Sequence, residues 1–367
     1  MTLIGVAGCT ALLLTGFGLH DSIGDIMVMQ FDEIAVDNLK VTFEDSASQA
    51  DKDDVCRTIN TINGQTASTL VHEENVVAMP QGHPNAPTVI VVPNNVEQFQ
   101  EMRVMRNRTS KEQFTLDDSG VYISEKLANL MHVNVGDSIT VYNQDLIGNA
   151  GDKEFSFTIA GIVENYIAHY IYMTPNLYKH YFENDCSYKN LIANTNLASD
   201  AQQGLIDNIC TNKSVKAAYF TTSNRENFER MLKSVNMVVV ILIVAAGLLA
   251  FVVLYNLINI NICERAREIA TLKVLGSNKF ETNMYINRET FVLSFLGSLI
   301  GLILGVIMEQ FVILSAEVDM VMFGRIIHLE SYLISLAITL VFTVLVSLFM
   351  RKKLFSISMV ESLKSVE

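Results

Sequence analysis

The sequence predicts a membrane protein of four transmembrane α-helices, with a large α+β extracytoplasmic domain between the first two. Three observations lead there. Of 367 residues, 50% are hydrophobic and only 18% charged, where soluble domains carry about a quarter charged; the mean hydropathy is +0.30. The apolar excess sits in four blocks, Thr2–Leu19, Val235–Ile262, Phe291–Leu314 and Tyr332–Met350, each near the roughly 20 residues that cross a bilayer as a helix. The net charge of −13 is local, because His20–Lys233 holds 16 Lys and Arg against 29 Asp and Glu while the remainder holds ten of each. This composition excludes a soluble enzyme, a disordered chain and a nucleic-acid binder, whose surface would be basic.

The blocks divide the chain into a first span (1–19), an extracytoplasmic domain (20–222), a stalk with the second span (223–262) and a cytoplasmic segment (263–289). A third span (290–314), a short outer loop (315–331), a fourth span (332–350) and a cytoplasmic tail (351–367) follow. Orientation comes from basic residues in the short connections. Residues 263–289 contain Arg265, Arg267, Lys273, Lys279 and Arg288, and the tail opens with Arg351, Lys352 and Lys353, whereas 315–331 has Arg325 alone. The basic connections are therefore expected inside, and residues 20–234 outside.

No Lys or Arg precedes the first block, so the chain is expected to be a piece whose basic cytoplasmic lead-in is missing. Val6-Ala7-Gly8-Cys9 resembles a lipoprotein cleavage box, but the apolar run continues for ten residues past Cys9, which argues against lipidation. Three cysteines, Cys56, Cys186 and Cys210, fall in the outer segment; their odd number leaves room for one disulfide at most. The cysteines and the seven scattered histidines show no metal-ligand spacing, and HExxH, GxSxG and GxxxxGK[ST] are absent. No catalytic, cofactor-binding or metal-binding residue is expected.

Within the outer segment, Phe31–Glu44 reads as a strand, Ser48–Ile62 as a helix, Thr88–Val92 as a buried strand and Asn95–Val104 as a helix. Gly120–Val141 reads as a strand end, a short helix, a turn at Asn134–Asp137 and another strand. Phe155–Val163 alternates as a strand does. Pro175–Phe182 begins with proline at an allowed early helical position, Ala201–Ile209 is a helix and Ala217–Thr221 a strand. Strands mixed with helices suggest an α+β domain in two lobes. Ser223 and Glu226 form a capping-box pattern, and no Pro or Gly interrupts Asn224–Ala246. One helix is thus expected to run from the domain into the second span, with Phe228, Met231, Leu232 and Val235 as its apolar stripe. Such a rod could transmit displacement or serve only as a stalk.

In the third span Gly297, Gly301 and Gly305, four apart, form a smooth face for close helix packing, within the chain or in a dimer. Glu309 is the one charge there; near the outer end of the span it is expected to be wet, and no proton relay is visible. Glu264–Glu281 reads as a charged helix continuing the second span, stopped at Gly276, with Ser277 capping a second helix.

The stretch Arg265–Gly276, RAREIATLKVLG, resembles the signature of the FtsX-like, MacB-type permeases of ABC transporters. GVYISEKLANLMHVNVGDSITV and FTIAGIVENYIAHYIYMTP are similar to segments of that family's outer domain, and Met359–Leu363 to its terminal segment. The resemblance implies a non-enzymatic permease with four spans per unit, working with a second permease unit in the bilayer of a bacterial, Gram-positive cell. It implies an ABC ATPase as cytoplasmic partner, with ATP and Mg held by that ATPase and no cofactor on this chain. Arg265, Arg267, Glu268, Lys273 and Gly276 would lie near the ATPase contact, and closure of the ATPase would move the outer domain. The missing lead-in and Phe17–Ile23 suit the C-terminal half of a larger permease. A membrane-anchored ligand sensor, or a regulator of cell-wall hydrolases without transport, is the alternative. A sensor would need an inner signalling domain, and a membrane hydrolase a nucleophile or metal pattern; the sequence offers neither.

Overall fold

The computed structural model describes residues 2–63, 67–82, 84–145, 148–265, 267–268, 271 and 279–356. The chain folds as two units, one of Met1–Gly24, Leu232–Ala316 and Gly324–Glu367, the other of Asp25–Met231 and Glu317–Phe323.

The first unit is built from apolar helices. α1 (Thr2–Val28) runs nine residues past the expected end of the first span. Four helical stretches of the described residues are long and apolar enough to cross a membrane: Thr2–Ile34, Arg225–Glu264, Arg288–Ala316 and Leu329–Met350. α1 is the most enclosed, with 61% of its apolar window buried against 22 to 33% for the others. It is therefore the helix the others pack around, and its small residues suit that place. Thr10 Oγ1 lies 3.0 Å from Val6 O and 3.1 Å from Thr339 Oγ1, so its hydroxyl is satisfied in an apolar setting, where an unpaired one is costly.

The second unit carries the sheet. Its strands are β1 (Leu39–Phe43), β2 (Ser68–Ala78), β3 (Ala86–Pro93), β4 (Val121–Ser124), β5 (Ser138–Gln144), β6 (Ala150–Val163), β7 (His169–Tyr172), β8 (Asn190–Ala193) and β9 (Val215–Phe220). They pair in the order β3-β7-β4-β6-β5-β2-β8-β1-β9, with β3 also pairing β2. Six strands thus close on themselves, and β8, β1 and β9 extend the sheet from β2. Most pairings are antiparallel; β3–β7 and β4–β6 are parallel. Helices α2 (Gln49–Asn63), α3 (Val96–Met102), α4 (Glu125–Met131), α5 (Pro175–Phe182) and α6 (Ser199–Ile209) complete the unit.

Local chemistry sets these boundaries. Asn95 caps α3 by accepting from Gln98 N–H, and Thr174 caps α5 by accepting from Leu177 N–H, with Pro175 next. The turn before β5 needs Gly136 at φ +93°, a value that costs a residue bearing Cβ. One core lies inside the closed strands around Val76, Ile90, Ile123, Ile139, Phe157 and Ile171. A second lies between the extension and α2 and α6, around Leu39, Val41, Val55, Ile59 and Leu205. The two expected lobes therefore share one sheet.

One expectation needs correction. Phe31–Ile34 is not strand: Met29–Ile34 is a π-helical turn that prolongs α1, closed by Ala35 N–H to Gln30 O at 2.8 Å, and strand begins only at Leu39. α7 (Thr222–Glu264) is continuous as expected, but its stripe is not uniformly covered. Leu232 is buried, while Met231 and Val235 are exposed. The last two helices are α8 (Lys279–Ala316) and α9 (Leu329–Ser356).

Candidate functional site: coupling elements

The residues expected on the cytoplasmic side are only partly gathered. α7 ends at Glu264 and Arg265 stands in a turn, so the charged helix expected to continue the second span breaks there. Arg265 pairs with the Glu289 carboxylate of α8, one of its two bonds being 2.6 Å. Arg267 and Glu268 are helical and exposed, and the Arg267 carbonyl accepts from the Thr271 hydroxyl (2.9 Å). Lys273 and Gly276 lie outside the described residues, as do Ser277 and Met359–Leu363.

The glycines of α8 face α1 within the chain. A Cβ at Gly301 would stand 2.5 Å from Ala7 O and 2.7 Å from Thr10 Cβ. At Gly297 it would lie 2.9 Å from Leu3 O, and at Gly305 2.9 Å from Leu14 Cβ. No side chain fits at these distances, so the spacing of four brings two backbones together.

Nor is Glu309 wet. It is 2% exposed on α8, and Ser22 of α1 donates to its Oε1 at 3.2 Å. One residue before Ser22, Asp21 Oδ2 accepts from Ser331 Oγ (2.6 Å) and from His328 N–H (3.0 Å). A carboxylate of α1 thereby satisfies free groups at the start of α9, as a capping residue would. Nothing local in the sequence signals this, because the partners lie 307 and 310 residues further along the chain.

In the second unit, polar contacts converge on Glu164–His169, the short segment from the end of β6 to the first residue of β7. From the π-helical turn, Gln30 donates to Asn165 Oδ1 (3.1 Å) and accepts from Tyr166 N–H (2.8 Å). Arg106 bridges Glu164 and Glu33 at 2.5 Å each, and Lys111 adds bonds of 3.2 Å to Glu164. Burial would raise the Glu164 carboxyl, but hydrogen bonds from Arg106, Tyr166 and Lys111 outweigh it and hold it below the usual range. Residues 317–323, which join α8 to α9, lie against the other side as an antiparallel strip. Ala168 N–H donates to Met320 O and Met322 N–H to Tyr166 O, both at 2.9 Å. That strip is locked by a buried ion pair, Lys126 Nζ to Glu317 Oε2 at 2.7 Å, with Phe323 N–H donating to the other oxygen of Glu317 at 3.1 Å.

Asp32 of the π-helical turn and Arg225 of α7 form a further link, with bonds of 2.6 and 3.2 Å. Together these contacts tie the π-helical turn and the strip 317–323 to the segment between β6 and β7, and the π-helical turn to α7. Among the described residues no cluster of His, Cys, Asp and Glu is placed to hold a metal ion, and all five cysteines are free thiols.

No curated protein matches the chain. Among the solved structures similar to the chain are two from transporters. The extracellular domain of the noncanonic ABC-type transporter YknZ from Gram-positive bacteria is 14% identical, covering 50% of this chain and 98% of that one, at TM-score 0.30. The periplasmic region of MacB from Actinobacillus actinomycetemcomitans is 12% identical, covering 55% and 97%, also at TM-score 0.30. Residues 240–359 match the family described as FtsX-like permease C-terminal. That match takes in the C-terminal part of α7, the connection that follows it, α8 and α9.

Proposed function

We propose that the chain is the permease subunit of an ABC transporter, coupling ATP hydrolysis by a partner ATPase to movement of its outer domain. The observation that carries this is α7, a single helix of 43 residues running from the sheet domain into the family-matched region. A helix is stiff along its axis, so a push at its inner end is delivered at its outer end. Residues 20–234 would stand outside a Gram-positive cell membrane and 263–289 inside, by the distribution of basic residues. A second permease unit, either another copy or the other half of a larger permease, would complete the pair. ATP and Mg would be bound by the ATPase, which contacts the segment around Arg265, Arg267 and Glu268; Lys273 and Gly276 belong to the same stretch. The broad apolar surfaces of α7, α8 and α9 suit lipid and a pairing helix.

The test is purification of the tagged full chain in mild detergent, with and without the double charge reversal Arg267→Glu/Glu268→Arg. An ABC ATPase that accompanies the unmodified chain and is lost from the variant, with insertion intact, is the expected result. Absence of any ATPase after gentle crosslinking would overturn the reading. Loss of membrane insertion in the variant would assign the segment a topological role instead.

A further inference from the structure

We propose that Glu164–His169 is a relay joining two inputs, the π-helical turn that follows α1 and the strip 317–323 in the connection between α8 and α9. Both inputs close on the same few atoms. Gln30 takes Asn165 Oδ1 and Tyr166 N–H on one side. The strip takes Tyr166 O and Ala168 N–H on the other. Tyr166 thus gives its N–H to the first input and its C=O to the second across one residue, and the planar peptide units leave little slack. The segment is also held tightly. Asn165 donates to Ile167 O (2.8 Å) and Ala168 O (3.0 Å), and Ala168 sits at φ +63°, a left-handed conformation that only such restraint makes steady. Asn165, Tyr166 and His169 are each at most 2% exposed, so motion of one contact cannot be absorbed by solvent-facing side chains.

Lys126 and Glu317 are the lock. Their ion pair ties the strip to α4, and burial makes removal of one partner far more disruptive than replacement of both by apolar groups. The relay gives displacement of α8 and α9 a route into the domain besides the helix α7. Its role in transport rests on the permease reading; the physical coupling of the two inputs does not.

Hydrogen exchange by mass spectrometry on the full chain in lipid nanodiscs tests it. Glu317→Ala is expected to speed exchange at Ala168 and Met322, and also at Tyr166 and Ala35 on the far side of the relay, by about ten-fold or more, while β1 stays slow. The apolar pair Lys126→Met/Glu317→Leu is expected to keep all four amides slow. Faster exchange confined to 317–323 would overturn the proposal. Should Glu317→Ala unfold the chain, shown by fast exchange in β1, Gln30→Ala reads the coupling from the opposite side: faster exchange at Met322 supports it and an unchanged Met322 overturns it. Neither arm needs an ATPase, so failure to co-purify one would sink the permease reading and leave this result standing.

Discussion

Arg225 grips Asp32 through two bonds of 2.6 and 3.2 Å, and so ties the first turn of α7 to the π-helical turn that ends α1. The two segments that enter the sheet domain from apolar helices are therefore clasped at their entry. Both side chains are substantially exposed, 34% and 46%, so the pair adds little to stability, of the order of 1 kcal/mol or less. Arg225→Gln and Asp32→Asn should each leave the denaturation midpoint nearly unchanged. In the assembled complex each should weaken the response of the outer domain to nucleotide. A loss of several kcal/mol on denaturation would mean the pair is a structural support and no clasp.

The glycine face of α8 makes a sharper stability prediction. Gly301→Leu must drive α8 away from the backbone of α1 at Ala7 and Thr10, and a cost of about 1–3 kcal/mol is expected from such overpacking. Gly8→Ala on α1 is the control, since nothing lies within 4 Å of its added Cβ; helix propensity should make it neutral or slightly stabilising. Thermal unfolding in detergent compares the two. Equal midpoints would contradict the packing.

His169 makes stability depend on pH in a defined direction. It is fully buried, and burial, then the neighbouring Lys126, push its pKa down from 6.5 to about 4, with Asp319 opposing them. The unfolded chain therefore takes up a proton between these values that the folded chain refuses. Stability from this group is complete above pH 6.5 and is lost as pH falls toward 4, by up to about 3 kcal/mol. Denaturation of the wild type and of His169→Gln across pH 7 to 4 measures it. The variant should lose that part of the slope, and an identical slope in both would contradict the assignment.

The sequence made local features legible and hid those made by distant partners. Pro175, the Asn134–Asp137 turn and the alternation of Phe155–Val163 each announced an element the structure contains. β2 escaped notice because His72-Glu73-Glu74 interrupts its apolar pattern; there Glu73 is held by Lys40 of β1 at 2.6 Å, a partner found only after folding. The π-helical turn read as strand because Phe31 and Ile34 flank acidic residues, whereas its form is fixed by Gln30 reaching Asn165 and Tyr166. Glu309 looked solitary for the same reason, its partner Ser22 lying on another helix. Of the candidate coupling residues Arg265 meets Glu289, and the three glycines expected to pack helices meet α1. The relay at Glu164–His169 left one trace, the segment similar to the family's outer domain, with nothing in it to reveal convergence.

The most direct measurement is hydrogen exchange on the complex of this chain with its co-purified ATPase in nanodiscs, with and without a non-hydrolysable ATP analogue. The peptides to follow cover 29–36 and 222–231, where apolar helices enter the sheet domain, and 164–169, the segment between β6 and β7 on which the contacts converge. Transmission through the chain requires nucleotide bound on the ATPase to change exchange in these outer peptides while the strands of the β1–β8–β9 extension stay unchanged. Identical exchange with and without nucleotide, in a complex whose ATPase binds the analogue, would contradict the account.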